Sequence, residues 1–187
     1  MLKELKKCLE SEKKDNTIFD IVIYGSALKG KESFSDIDIA VIFLEGNLRE
    51  RLDKLQAIKQ KLNNFRENKI DIKQILLKEL FSPAFFAKTG IFLEGESIFN
   101  NKKFSEIIGF KPFSLFWYDL SGLNHTEKVK FNYLIAGRKT KGILKELNGQ
   151  RLTNGVLKMP LSNSYIFEEI LNKNKIHYFK KSILEEI

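Results

Sequence analysis

Ile23-Tyr24-Gly25-Ser26-Ala27-Leu28-Lys29-Gly30-Lys31-Glu32-Ser33-Phe34-Ser35-Asp36-Ile37-Asp38-Ile39-Ala40-Val41 is the stretch on which the reading of this chain turns. Residues i and i+2 of a strand project to one face, so Asp36 and Asp38 would sit about 7 Å apart along the backbone. Beside Ile, Ala, Val and Phe, two like charges repel each other and resist desolvation. A shared divalent cation relieves both penalties, and Mg²⁺ favours one or two carboxylates together with phosphate oxygens. Alone, the pair reads equally well as two exposed aspartates at the start of a strand. The preceding Gly25-Ser26 shifts that balance. A glycine closing a strand permits a tight turn that brings backbone N–H groups close to a ligand. Ser26 adds a hydroxyl suited to a nucleotide's terminal phosphate.

Outward from this stretch, hydrophobic spacing sets the neighbouring elements. Residues 2–14 repeat at helical spacing, 18–24 form a β-rich run, and 36–44 resume as a strand. Leucine, isoleucine and phenylalanine at 48, 52, 55, 58, 62 and 65 predict a helix of about five turns. A third strand covers 70–75, and 76–87 reads as helix with a break at Pro83. Asn100 to Lys103 and Gly109 to Pro112 punctuate the chain, which sets expected domains of 1–103 and 104–187. Beyond them, 127–136, 138–147, 164–171 and 176–186 read as helices, and 151–160 as a short strand or hairpin arm. The expected fold class is therefore α+β, a small mixed β-sheet flanked by helices with a mainly helical C-terminal extension.

The chain has 187 residues, 43% of them hydrophobic, with 16 Phe, enough apolar material for a packed core rather than disorder. One cysteine, Cys8, excludes an intramolecular disulfide. The N-terminus is crowded with Lys and Glu, and the longest apolar run is Ile39 to Leu44. Neither a signal peptide nor a membrane span is expected, and a cytoplasmic setting fits best. The net charge of +8 is uneven: residues 1–100 hold 17 Lys/Arg against 16 Asp/Glu, and residues 101–187 hold 15 against 8. The second half therefore suits either a polyanion contact or a solvated lysine-rich surface, in which Lys128, Lys130, Arg138, Lys139, Lys141 and Lys145 could share a face.

Gly-Ser, a Gly four residues after the Ser, then Ser-Asp-Ile-Asp-Ile entering an apolar strand resembles the nucleotidyltransferase superfamily of DNA polymerase beta. The compact size is most similar to its minimal nucleotidyltransferase (MNT) branch. The resemblance covers roughly residues 1–100, including a closing segment over Ile91 to Phe99. It implies a third carboxylate from a later strand, and Asp71 in Lys69-Ile70-Asp71-Ile72-Lys73 falls there; the alternative is a polar position on a solvent face. It also implies two Mg²⁺ ions, with Mn²⁺ as a substitute, held by Asp36, Asp38 and Asp71. Gly25, Ser26, Ser35 and Lys29 would contact ATP or another NTP. Lys29 and Lys31, near the phosphate loop, could reach triphosphate oxygens, but a solvated surface lysine is the default reading of each. AMP transfer to a hydroxyl of a partner protein, an RNA 3′ end or a small molecule is the implied activity. A non-catalytic nucleotide- or partner-binding module, such as an antitoxin, is the alternative, and a homodimer is compatible with either.

Gly25 to Lys31 also fits the first seven positions of an NTPase P-loop, but the metal-ligating Ser/Thr position is Glu32, whose charge would repel phosphate. His125 and His177 stand alone, without a second ligand at metal-binding spacing. Phe113, Phe116, Trp117 and Tyr118 read as core rather than as a base-stacking platform.

Overall fold

A computed structural model describes residues 2–28, 36–65, 69–138 and 141–187. It divides into two compact units, Met1–Gly109 and Phe110–Ile187. The division falls beyond the expected 103/104 boundary for a packing reason. Phe104 is fully buried in the first unit's core, and its N–H donates to the Gly95 carbonyl at 2.9 Å.

In the first unit, α1 (Leu2–Leu9) runs into a 3₁₀ turn, followed by β1 (Ile18–Tyr24), a second 3₁₀ turn (Ser26–Leu28) and β2 (Asp36–Phe43). Helix α2 (Leu48–Leu62) starts at a capping box: Asn47 accepts from the Glu50 N–H at 3.0 Å, and Glu50 accepts from the Asn47 N–H at 2.9 Å. Then come β3 (Lys69–Leu76), the single turn α3 (Leu77–Leu80), α4 (Lys88–Glu94), the short β4 (Glu96–Ser97) and α5 (Phe104–Ile107). The helix expected over 76–87 is thus confined to α3, with turns carrying the chain past Pro83 to α4. The sheet order is β3-β2-β1-β4, with β1 antiparallel to β2 and β4, and β2 parallel to β3. Helix α2 makes the crossover that a parallel pair requires.

Both faces of the sheet's centre are buried, which explains the near-continuous apolar runs in β1 and β2. Ile21, Ile23, Ile37, Ile39 and Val41 pack with Leu5 and Leu9 of α1 and Leu55, Ile58 and Leu62 of α2. Val22, Tyr24, Ala40, Ile42 and Ile75 pack on the other face with Leu80, Ile91 and Phe104.

The second unit corrects the expectation of a mainly helical extension. It contains β5 (Phe110–Asp119), α6 (His125–Ala136), α7 (Ile143–Glu146), β6 (Gln150–Thr153), β7 (Val156–Pro160), α8 (Ser164–Lys173) and β8 (His177–Glu186). The strands form an antiparallel sheet in the order β6-β7-β5-β8. The expected helix over 138–147 is reduced to α7. The expected helix over 176–186 is strand β8: Ile176, Phe179 and Ile183 imitate helical spacing, but ten-residue pairing with β5 overrides it. One face of this sheet buries Phe116, Leu157 and Met159 against Phe131, Ile135, Phe167 and Leu171. Trp117 is not core. It lies on the other face, 37% exposed, against Phe179 with ring centroids 5.5 Å apart.

Among the described residues no helix is long and apolar enough to cross a membrane. Lys130, Arg138 and Lys141 line one open cleft of about 650 Å³ with Tyr133, Leu134, Ile143 and Glu146. Lys128 and Lys145 do not line it, and Lys139 lies outside the described residues.

Candidate active site

Strand register brings the carboxylates together. Asp38 of β2 stands directly opposite Asp71 of β3, and on its other side opposite Tyr24 of β1. Partners in register share a face, as do residues two apart on one strand. Asp36, Asp38, Asp71, Lys73 and Tyr24 therefore lie on one face of the sheet, opposite the face that packs on α1 and α2. Ile37 and Ile39 point the other way and are fully buried, which anchors the aspartates at the edge of the core. Asp36, Asp38 and Asp71 are each half-buried.

Gly25 is fixed by its contact with Asp38. Its φ is +84°, and a β-carbon there would run into Asp38 Oδ2 and lie 3.3 Å from its Cγ. Only glycine lets the turn's backbone close over this carboxylate. In the following 3₁₀ turn Ala27 is buried and Leu28 packs against the same core, which leaves Ser26 exposed beside the site. Ser35, Lys29 and Lys31 lie outside the described residues.

Two members of the constellation were not picked out from the sequence. Lys73 Nζ pairs with Asp71 Oδ2 at 3.0 Å, with both side chains about half exposed. Tyr24 is 7% exposed and occupies the strand position before Gly25. The i, i+2 relation of Asp71 and Lys73 on a strand was the available signal for the first. Nothing in the sequence distinguished Tyr24 from an ordinary buried aromatic.

Charge is crowded here. Burial pushes the Asp38 carboxyl above the ordinary carboxylate range; Asp71 and Asp36 reinforce the rise, and Lys73 opposes it. Burial also raises the Tyr24 phenol, opposed by Lys73 and reinforced by Asp38 and Asp71. The hydrogen bond to Asp71 raises the Lys73 ammonium. A further buried carboxylate, Asp20, is structural: it accepts from the Ile21 N–H at 2.8 Å and from the Asn100 amide at 3.4 Å.

A family model described as Polymerase beta, Nucleotidyltransferase matches residues 3–104. The chain belongs to the polymerase beta nucleotidyltransferase family. The match spans the whole sheet that carries the aspartates and ends at the buried Phe104. No curated protein matches the sequence significantly. Members of this family typically use divalent metals. The donor set here is carboxylate oxygen, the chemistry a hard divalent cation takes. Among the described residues no group of three or more His, Cys, Asp or Glu is arranged to hold an ion, and Asp71 pairs with Lys73.

Proposed function

We propose that this nucleotidyltransferase-family protein transfers a nucleoside monophosphate, AMP from ATP, to an acceptor hydroxyl. The observation that carries the reading is the in-register opposition of Asp38 and Asp71, with Asp36 on the same face and the Gly25 backbone against Asp38. Asp36, Asp38 and Asp71 would hold divalent cations, two Mg²⁺ or Mn²⁺ ions, whose chemistry is to neutralise the triphosphate and acidify the attacking hydroxyl. The Ser26 hydroxyl and the turn's N–H groups orient the triphosphate. The acceptor oxygen forms a bond to the α-phosphorus as the bond to pyrophosphate breaks, and Asp71 takes the hydroxyl proton. Lys73, 3.0 Å from Asp71, adds positive charge beside the reacting groups. Positioning and charge neutralisation supply most of the rate.

The compact site-bearing unit supports placement in the minimal nucleotidyltransferase branch. The acceptor belongs to one of three classes: a partner protein's side chain, an RNA 3′ end or a small molecule. The Lys73–Asp71 ion pair favours a second reading, a nucleotide- or partner-binding module without turnover, such as an antitoxin. Incubation with α-labelled ATP, Mg²⁺ and cell extract separates them. Transfer of label to protein, RNA or a metabolite by the wild type, lost in Asp36→Asn and Asp38→Asn, supports the enzyme. Nucleotide binding with no transfer supports the module.

A further inference from the structure

The two edges of the second sheet differ. Strand β6 is a four-residue edge whose pairing with β7 is irregular, the kind of edge that resists adding another strand. Strand β8 is ten residues long and pairs without a register shift along all of β5, from Phe110 opposite Glu186 to Asp119 opposite His177. Its outer side has no strand partner among the described residues. A long, regular, unpaired edge is a template for pairing with another chain.

The sequence of that edge, His177-Tyr178-Phe179-Lys180-Lys181-Ser182-Ile183-Leu184-Glu185-Glu186, is self-complementary about Ile183. Laid antiparallel against a second copy with Ile183 opposite Ile183, each Lys180 meets a Glu186 and each Lys181 meets a Glu185. Opposite charges on directly opposed residues stabilise an antiparallel pair, whereas like charges destabilise it. A slip of one residue leaves only one kind of Lys–Glu pair, so charge selects this register. The same register sets Phe179 against Ile187, which are 64% and 65% exposed. Neither Lys181 nor Glu186 has an ion-pair partner among the described residues. Lys180 already bonds Glu168 at 2.8 Å, and Glu185 bonds Lys158 at 2.7 Å. Each new contact would thus join one engaged charge to one free one.

We infer that β8 is a homodimerisation edge, on which a second copy of this chain adds antiparallel about Ile183 to make one continuous eight-stranded sheet. Such an edge contact is small, so the dimer is concentration-dependent and sensitive to salt. The test uses the full-length chain in a Cys8→Ser background, with mass measured by light scattering during gel filtration between about 1 and about 100 µM. The expected result is a shift from monomer to dimer across that range. Lys181→Glu sets a carboxylate opposite Glu185 at both symmetry-related positions and should weaken the dimer by at least about tenfold, without changing the melting temperature of the monomer. Adding Glu185→Lys to that variant restores opposite charges at both positions and should restore the dimer. Ile183→Cys should cross-link rapidly on oxidation, because directly opposed β-carbons lie about 4.5–5.5 Å apart. Ser182→Cys, which would face Leu184, should cross-link slowly. A monomer at every concentration overturns the inference. So does a dimer indifferent to Lys181→Glu, or one in which Ser182→Cys cross-links as fast as Ile183→Cys.

Discussion

Replacing Asp38 with Asn should stabilise the protein without metal and destabilise it, relative to wild type, when metal is present. Asp38 and Asp71 are directly opposed on neighbouring strands, which run about 4.8 Å apart. Two unit charges at about 5 Å repel by about 0.8 kcal/mol at the dielectric constant of water, and by more as the surroundings become less polar. Lys73 offsets part of that repulsion, so about 1 kcal/mol is the expected gain from Asp38→Asn in EDTA, or about 4 °C in melting temperature. The pH dependence has a definite sign. The folded-state pKa of Asp38 lies above its unfolded value, so its ionised form costs stability above the folded pKa. That cost shrinks as pH falls through the folded pKa and is gone below the unfolded one, and the advantage of Asn should vanish with it. A divalent cation at ten times its dissociation constant stabilises the wild type by about 1.4 kcal/mol and should leave the variant almost unchanged, reversing the order of the two. Circular-dichroism melts in EDTA and in Mg²⁺ or Mn²⁺ measure both quantities. Equal metal-induced stabilisation of the two proteins would refute the assignment of Asp38 as a metal-holding group. A metal-free Asn variant less stable than wild type would refute the repulsion argument.

Asp71→Asn should keep ATP affinity within a few fold while nucleotidyl transfer falls by about 10²-fold or more, measured by calorimetry and by label transfer. It should also show less of the metal-free stabilisation, because it leaves Lys73 without its partner. Gly25→Ala forces a β-carbon against Asp38 at a positive φ; a loss of about 1–3 kcal/mol in denaturant titrations is expected, together with loss of metal-induced stabilisation. Phe116→Ala removes a fully buried ring that contacts Phe167 edge-on at 5.0 Å, and should cost the second unit about 3–5 kcal/mol by the same titration. If the cleft lined by Lys130, Arg138 and Lys141 holds RNA or another polyanion, Arg138→Gln with Lys141→Gln should flatten the salt dependence of filter binding and leave ATP affinity unchanged.

The N-terminal unit was legible because its signals are local. Gly25-Ser26 and Asp36-Ile37-Asp38 sit within one strand-turn-strand stretch, where the period of two assigns faces and a strained turn demands glycine. Asp71 could be nominated from its place in a third strand. That it stands opposite Asp38 depends on the register of a parallel pair joined through α2, and no local pattern encodes that register. The same holds for Tyr24, which meets the carboxylates only where β1, β2 and β3 align, whereas Lys73 stands two residues from Asp71 on the same strand. In the second unit the limits are sharper. The stretch from Ile176 to Glu186 carries apolar residues at spacing that suits a helix, yet it is a strand because β5 offers ten residues of backbone hydrogen bonding. Trp117 and Phe116 are adjacent in the chain, but pleating sends one to the partly open face and the other into the core. Sequence alone therefore determined the chemistry available and the two faces of β1 and β2. Tertiary structure decided which carboxylates meet, because strand pairing joins residues far apart along the chain.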